Sequence, residues 1–406
     1  MRILFLHQNF PAQFKALAPA LAAIPGNQVT ALRLGNAQAT PGVQVLNYQT
    51  ARASTPGIHP WLVDMESHMI RGEAVMRAAL AMKQQGYTPD VVIAHPGWGE
   101  SLFIKDVWPT ARLGIYSEFY YHAKGADVGF DPEFAEEDAV MESRMRIKNL
   151  SNRLHFDIAD AGLSPTHWQA STFPEAFRPK ITVVHDGIDT VRLAPNPAMR
   201  IAFNSGTSLT RSDEIITFVN RNLEPSRGYH RFMRALPEIM AARPRARVLI
   251  IGGSEVSYGA AAPAGQTWHQ IFLDEVKEKI DPSRVHFMGR VSYQHYLAVM
   301  QLSTVHVYLT VPFVLGWSLL EAMSMGCAIV ASDTAPLREA ITHGVNGRLV
   351  DFFDTPALAS NVIELLANRE EGHRLGVNAR AFACEHYDLR AVCLPRQLDW
   401  VCRLAG

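Results

Sequence analysis

The chain has 406 residues, 48% of them hydrophobic and 19% charged, and its 38 basic side chains nearly cancel 39 acidic ones for a formal net charge of -1. That length exceeds one ordinary core and predicts two domains of about 200 residues each. The balanced charge excludes a whole-molecule field that would recruit nucleic acid or an anionic membrane.

At the start, Met1-Arg2-Ile3-Leu4-Phe5-Leu6 is apolar, but His7-Gln8-Asn9 interrupts it too early for a secretion signal. Lys, Arg, Pro or Gly breaks every apolar run before the ~18 residues of a membrane span, so a cytoplasmic location is expected. Cys327, Cys384, Cys393 and Cys402 include no Cys-x-x-Cys pair. Neither a zinc site nor a thiol-disulfide centre is signalled, and reduced, mostly buried cysteines are expected.

Strands are predicted at residues 3–7, 91–95, 113–118 and 181–185 in the first half, and at 215–220, 247–252, 285–289, 305–310 and 328–332 in the second. Each is a nearly continuous run of Val, Ile and Leu followed by helical periodicity, the pattern of a parallel sheet covered on both faces. Leu193-Ala194-Pro195-Asn196-Pro197 and the polar Asn204-Ser205-Gly206-Thr207-Ser208 mark a linker. The expectation is an α/β chain of two doubly wound Rossmann-like domains, residues 1–200 and 201–385, facing a central cleft, with 386–406 returning toward the first. Ligands of such folds sit at the carboxyl ends of the strands.

Several strand ends carry chemistry. His7 and Asn9 leave the first strand, His95-Pro96-Gly97-Trp98-Gly99-Glu100 leaves the second, and Tyr116-Ser117-Glu118-Phe119-Tyr120-Tyr121-His122 the third. Rings interleaved with His and Glu suit a carbohydrate, because they cover its apolar face while polar groups take its hydroxyls. Each histidine has the alternative reading of a core or turn residue with a satisfied ring nitrogen. The run Arg144-x-Arg146-x-Lys148 with Arg153 is a basic face for an anionic acceptor or lipid headgroup, or simply a solvated surface.

In the second half, Arg221 and Arg227-Gly228 lie at a strand-to-helix junction. Two guanidinium groups there can fork onto one phosphate, and the glycine lets the backbone approach it. The alternative is a solvated loop whose arginines pair with Glu224 and Asp213. Farther on, Ser318-x-x-Glu321 fits a capping box with Ser318 as N-cap. The same helix start, with free amides and a positive dipole end, also suits a diphosphate, leaving Glu321 to accept from a ribose diol. The spacing alone does not decide between these.

Gly316-x4-Glu321-Ala322-Met323, Gly326-Cys327-Ala328-Ile329-Val330-Ala331-Ser332-Asp333 and Glu339-x-Ile341-x2-Gly344-x2-Gly347-x-Leu349-Val350 together resemble the nucleotide-sugar signature of retaining glycosyltransferases of family 4. Val183-Val184-His185-Asp186-Gly187-Ile188-Asp189, Leu249-Ile250-Ile251-Gly252-Gly253 and Phe287-Met288-Gly289-Arg290-Val291 match further segments, so the similarity is specific over roughly residues 180–350. The resemblance implies a GT-B fold and metal-independent transfer of a sugar from a nucleoside diphosphate donor, with no cofactor and with retention of anomeric configuration. Arg221, Arg227, Glu118 and His95 are the expected catalytic set. Glu321, Gly316, Trp317, Ser318, Leu319, Gly253 and Arg290 are expected to bind the donor, and His7, Asn9, Trp98 and Tyr120 the acceptor.

No metal site is expected, since no Asp-x-Asp motif accompanies the signature. The acceptor class stays open among saccharides, lipid-linked sugars and small molecules, and peripheral membrane contact is compatible with the lipid-linked case. The family's second glutamate, eight residues before Glu321, is Phe313 here, and its usual paired glycines after the first strand are Pro11-Ala12. Two other readings remain: a nucleotide-sugar epimerase, and a nucleotide-sugar-binding protein without transferase activity.

Overall fold

The structure is a computed structural model that describes residues 1–36, 39–135, 139–202, 208–257 and 259–406. It divides into two units. One comprises Met1–Ala123, the described part of 137–187 and Arg390–Gly406; the other comprises the described part of 124–136 and Ile188–Leu389.

The first unit is built on β1 (Arg2–Leu6), β2 (Gln28–Leu34), β3 (Val43–Tyr48), β4 (Val91–Ala94), β5 (Arg112–Tyr116), β6 (Ala161–Ser164) and β7 (Ile181–Val183). These form one all-parallel sheet in the order β3-β2-β1-β4-β5-β6-β7. Ile3, Leu4, Phe5 and Leu6 of β1 are all 0% exposed, as expected for a strand covered on both faces. Two covering clusters follow from this, one made by Val75, Ala79, Trp108 and Phe173, the other by Leu17, Leu21, Trp400 and Leu404. The last two belong to the helix Leu394–Ala405, which lies so close over β5 that a side chain at Gly114 would fall 2.5 Å from the Trp400 ring.

The second unit holds β8 (Arg200–Ala202) and β9 (Ser208–Thr210), an antiparallel pair, and then β10 (Ile215–Asn222), β11 (Arg247–Gly253), β12 (Val285–Phe287), β13 (Val305–Tyr308), β14 (Ala328–Ser332) and β15 (Arg348–Val350). The last six make a parallel sheet in the order β12-β11-β10-β13-β14-β15. In both sheets the order reverses beside the first long strand, between β1 and β4 and between β10 and β13. A reversal of that kind splays the following loops apart and opens a crevice at the strand ends.

The doubly wound pattern is therefore present twice. The sequence reading missed β2, β3, β6, β15 and the β8–β9 pair. β3 is an edge strand with a half-exposed face, and β6 is Ala161-Gly162-Leu163-Ser164, too small in side chains to register as a hydrophobic run. The division falls after Gly187 rather than near 200, because the expected linker is partly core: Leu193 is 3% exposed and its carbonyl accepts from Ser324. Residues 204–207 of that linker lie outside the described residues. Of the cysteines, Cys327 and Cys393 are buried and Cys402 is exposed, and all four are free thiols.

Candidate active site

In the second unit the crevice is framed by the loops after β10 and β13. A register shift against β11 between Val219 and Asn222 bends the end of β10. Arg221 is exposed there and makes no side-chain ion pair among the described residues, while Asn222 is buried between Arg290 and Ser257, at 3.2 and 2.6 Å. Arg221, Asn222, Arg290, Tyr293 and Tyr296 line one cavity of about 890 Å³. Arg221 is open to an anion of diphosphate size, whereas Arg290 is paired with Glu255 on the wall of the same cavity, and an anion would compete with that carboxylate for it.

Arg227 lies on the neighbouring edge. Its Nη1 donates to Thr310 Oγ1 at 3.0 Å, and the Val311 amide donates to the Ser226 carbonyl at 3.1 Å, so the loops after β10 and β13 are tied together. Gly228 has φ +63°, and a Cβ there would run into Leu309. Only glycine meets both demands. Burial raises the Tyr308 hydroxyl above its ordinary range, and Arg227, Gly316 and Ser318 beside it pull the other way. Asp213 caps its own turn at Thr210, and Glu224 accepts from the Ser257 amide.

The helix carrying Glu321 runs Trp317–Ser324 with Gly316 as its N-cap and no side-chain cap. Ser318 is therefore inside the helix and the expected capping box is not formed. Glu321, 8% exposed, instead accepts from the Tyr293 hydroxyl at 2.9 Å. Burial first, then the charge of Glu321, pushes the Tyr296 hydroxyl well up. Gly316, Trp317 and Ser318 stand at the helix start, half-buried. Leu319, expected among the donor contacts, is in the core, and its amide is taken by the Gly316 carbonyl at 3.2 Å. Gly253 lies under Asn222 and Arg290, where a side chain would displace both. Phe313 is packed at 5% exposure, with Val311 and Leu315 buried beside it, so this run is core rather than a ligand-facing wall.

In the first unit the loops after β1, β4 and β5 bring His7, His95, Trp98 and Glu118 together. The ring centroids of His7 and Trp98 are 4.8 Å apart, those of His95 and Trp98 4.4 Å, and those of His7 and His95 5.4 Å. The Asn9 amide donates to His7 Nδ1 at 2.9 Å, and the Gly97 amide donates to His95 Nδ1 at 3.1 Å. With Nδ1 accepting, the Nε2 position carries the ring proton in both. His7 Nε2 donates to Gln13 Oε1 at 2.9 Å, and His95 Nε2 faces Glu118 Oε2 at 3.5 Å, an ion-pair distance rather than a good hydrogen bond. Burial, with His95 and Arg33 adding to it, holds His7 down at about 3, so its ring is neutral near pH 7. Burial works to raise Glu118, but His95 and the Gln13 amide outweigh it and keep this carboxyl below the usual range.

Asn9 itself is exposed. Tyr120 does not join this group. Its ring packs with Phe156 and Phe173 at 6.1 Å, in the cluster on the other face of the sheet. Tyr293 and Thr310 were missed by sequence reasoning because each acts on a partner far along the chain, and Gln13, six residues from His7, because the fold also brings it to Glu118 at 3.5 Å. A second missed contact, Tyr116 to both carboxylate oxygens of Asp186 at 3.0 Å, joins two segments that the sequence had flagged separately. The basic run Arg144 to Arg153 is spread over two helices with Glu142 and Asp157 among its cations, and Lys148 is engaged by Asp64 at 3.6 Å and by the Tyr121 ring. No helix among the described residues is long and apolar enough to cross a membrane.

Comparison with known proteins agrees with this fold. Residues 25–193 match the profile of the glycosyl transferase family 4 group, and residues 202–382 match that of the glycosyl transferases group 1. A GDP-mannose-dependent alpha-(1-6)-phosphatidylinositol monomannoside mannosyltransferase of Mycolicibacterium smegmatis is 28% identical over 237 residues, 57% of this chain and 59% of the relative. Spore coat protein SA of Bacillus subtilis is 28% identical over 236 residues, 55% of this chain and 58% of that protein. The chain thus spans little more than half the length of these curated relatives. Among solved structures, sucrose-phosphate synthase from Thermosynechococcus elongatus superposes with a TM-score of 0.73 at 18% identity over 100% of both chains. The Anabaena protein HepE, solved with UDP and glucose, superposes at 0.66 and 16% identity, covering 99% of this chain and 100% of its own. These likenesses are to the GT-B fold. With two successive profiles matched and a doubly wound sheet in each unit, the chain belongs to the group 1 glycosyltransferases of family 4.

Proposed function

We propose that this protein is a metal-independent glycosyltransferase that takes a sugar from a nucleoside diphosphate donor, with retention at the anomeric carbon, and gives it to an acceptor hydroxyl. The observation that carries this reading is the crevice of the second unit. There Arg221 and Arg290 line one cavity, Arg227 is aimed by Thr310, and Glu321 is oriented by Tyr293. The guanidinium groups neutralise the departing diphosphate, a task that a metal performs elsewhere, and Glu321 holds the ribose hydroxyls. The leaving phosphate takes the proton of the incoming hydroxyl on the same face of the sugar, so no separate protein base is required.

A guanosine or uridine diphosphate sugar is the expected donor. The name of the mycobacterial relative supports the first and the ligand of the Anabaena structure the second. The cluster of His7, His95, Trp98 and Glu118 offers rings and an anionic carboxylate to a sugar, and we assign acceptor contacts to it. The relative's phosphatidylinositol mannoside acceptor supports a lipid-linked or saccharide acceptor, with peripheral membrane contact.

The test is turnover of a panel of UDP- and GDP-sugars by parent and Arg227→Ala proteins, read as released nucleoside diphosphate. Loss of one charged contact to the leaving group corresponds to about 3 kcal/mol of barrier, so the variant is expected to be about a hundredfold slower. Equal rates remove the assignment of Arg227. An isomerised donor instead of released nucleotide would make the protein an epimerase, and binding without turnover a sugar-nucleotide sensor.

A further inference from the structure

Residues 124–135 follow the Glu118 loop in the chain yet pack within the second unit. Asp131, 7% exposed, accepts from His230 Nε2 at 2.9 Å and from Arg231 Nη2 at 3.3 Å. Glu133 accepts from two nitrogens of Arg234 at 2.7 and 2.6 Å. Beside these carboxylates, the Phe130 ring stacks on Phe353 at 5.2 Å, and Phe134 meets His230 and Trp268 edge-on at 5.0 and 5.3 Å. Aromatic and acidic anchors are thus paired along one short stretch, each with its own counterpart.

Those counterparts lie where the donor site needs rigidity. His230 and Arg231 are the second and third residues of the helix Tyr229–Ala242, immediately after Arg227 and Gly228. Gly228 supplies no side-chain cap, so this helix start lacks the local clamp that Ser, Thr or Asp would give. Asp131 supplies a carboxylate at that end from elsewhere in the chain, where the helix dipole also favours it. Asp131, Glu133 and His230 gather ligand atoms within 4.8 Å of one another, but Arg231 and Arg234 already neutralise both acids. The cluster is an anchor, not a cation site.

We propose that residues 124–135 form a strap that, through Asp131, fixes the first turn of the Tyr229–Ala242 helix and thereby the aim of Arg227 at a diphosphate. This rests on the donor-site reading above. Asp131 touches no substrate and is a positioning residue: when the turn frays, the guanidinium group must be ordered at the moment of binding, and affinity falls by that cost.

Calorimetric titration of the full chain with GDP and with UDP tests this, using the parent, Asp131→Asn, Arg227→Ala and the double variant, with thermal midpoints and donor kinetics measured alongside. Asp131→Asn is expected to weaken nucleotide binding about tenfold, the scale of one charge-assisted hydrogen bond, and to raise donor KM more than it lowers kcat. In the Arg227→Ala background it is expected to cost nothing further, because the strap acts through that arginine. Asp131→Glu recovers part of the loss. Additive losses in the double variant, or a lowered thermal midpoint with unchanged affinity, make the strap merely structural and overturn the proposal. If Asp131→Asn does not fold, Glu133→Gln, which reaches the same first turn through Arg231 at 3.6 Å, is expected to weaken binding about threefold, and unchanged binding overturns the proposal equally. Failure of the parent to bind either nucleotide removes the donor reading, full binding by Arg227→Ala removes the assignment of that arginine, and the strap's role falls with either. A normal Arg227→Ala effect beside an inert Asp131→Asn removes the strap alone.

Discussion

A carboxylate near a ribose has a chemical signature that a carboxylate in a helix cap lacks. Glu321 is turned toward Tyr293 and not toward its own helix amides, so removing its charge should leave the helix intact and change what the site selects. The parent is expected to bind GDP or UDP about tenfold more tightly than the 2′-deoxy forms, and Glu321→Gln to lose that preference, as checked by competition titration. Tyr293→Phe should lose a smaller share. At this scale the sequence was legible where a residue's role is set by its immediate neighbours. Glu321, Gly228 and the arginines stand in recognisable local contexts. Tyr293 and Gln13 do not, because their significance comes from a side chain met 28 or 105 residues away. The capping-box spacing misled because Gly316, held in an extended conformation, starts the helix earlier than Ser318.

Elements position these groups through a few places where backbone must come close to backbone or ring. Gly228 is the sharpest case, combining a left-handed φ of +63° with contact to Leu309. Gly228→Ala is expected to cost about 1–3 kcal/mol of stability and to weaken donor binding, measured by urea unfolding and nucleotide titration. At the far side of the first unit, Trp400 is 3% exposed over Gly114, and Trp400→Ala should cost about 3–5 kcal/mol in the same unfolding assay. The long parallel strands were readable because a strand buried on both faces is an unbroken apolar run. β6 and the edge strand β3 were not, since small residues and a half-exposed face leave no such run.

For the molecule as a whole, buried histidines set a pH dependence. Burial is the first cause that pushes His7 and His185 down to about 3 and His155 and His306 down to about 4. The folded chain keeps these rings neutral, whereas the unfolded chain takes up protons near pH 6.5. Stability is therefore complete above about pH 6.5 and lost as pH falls toward the folded values, each histidine contributing up to about 1.4 kcal/mol per pH unit. The urea midpoint should be level from pH 7 to 8 and fall between pH 6.5 and 5, a window above carboxylate titration. A midpoint unchanged down to pH 5 would show that these rings are not held neutral.

The helix Leu394–Ala405 covers Ile3, Phe5 and their neighbours, residues made long before it. Roughly 200 amino acids separate the last strand of their sheet, Ile181–Val183, from Leu394, which at about 5–20 residues per second is roughly 10–40 s of synthesis without that cover. During synthesis the part of that sheet face not covered by Phe14, Leu17 and Leu21 is apolar and bare. A nonsense codon anywhere in the second unit would therefore leave the first unit as incomplete as the second.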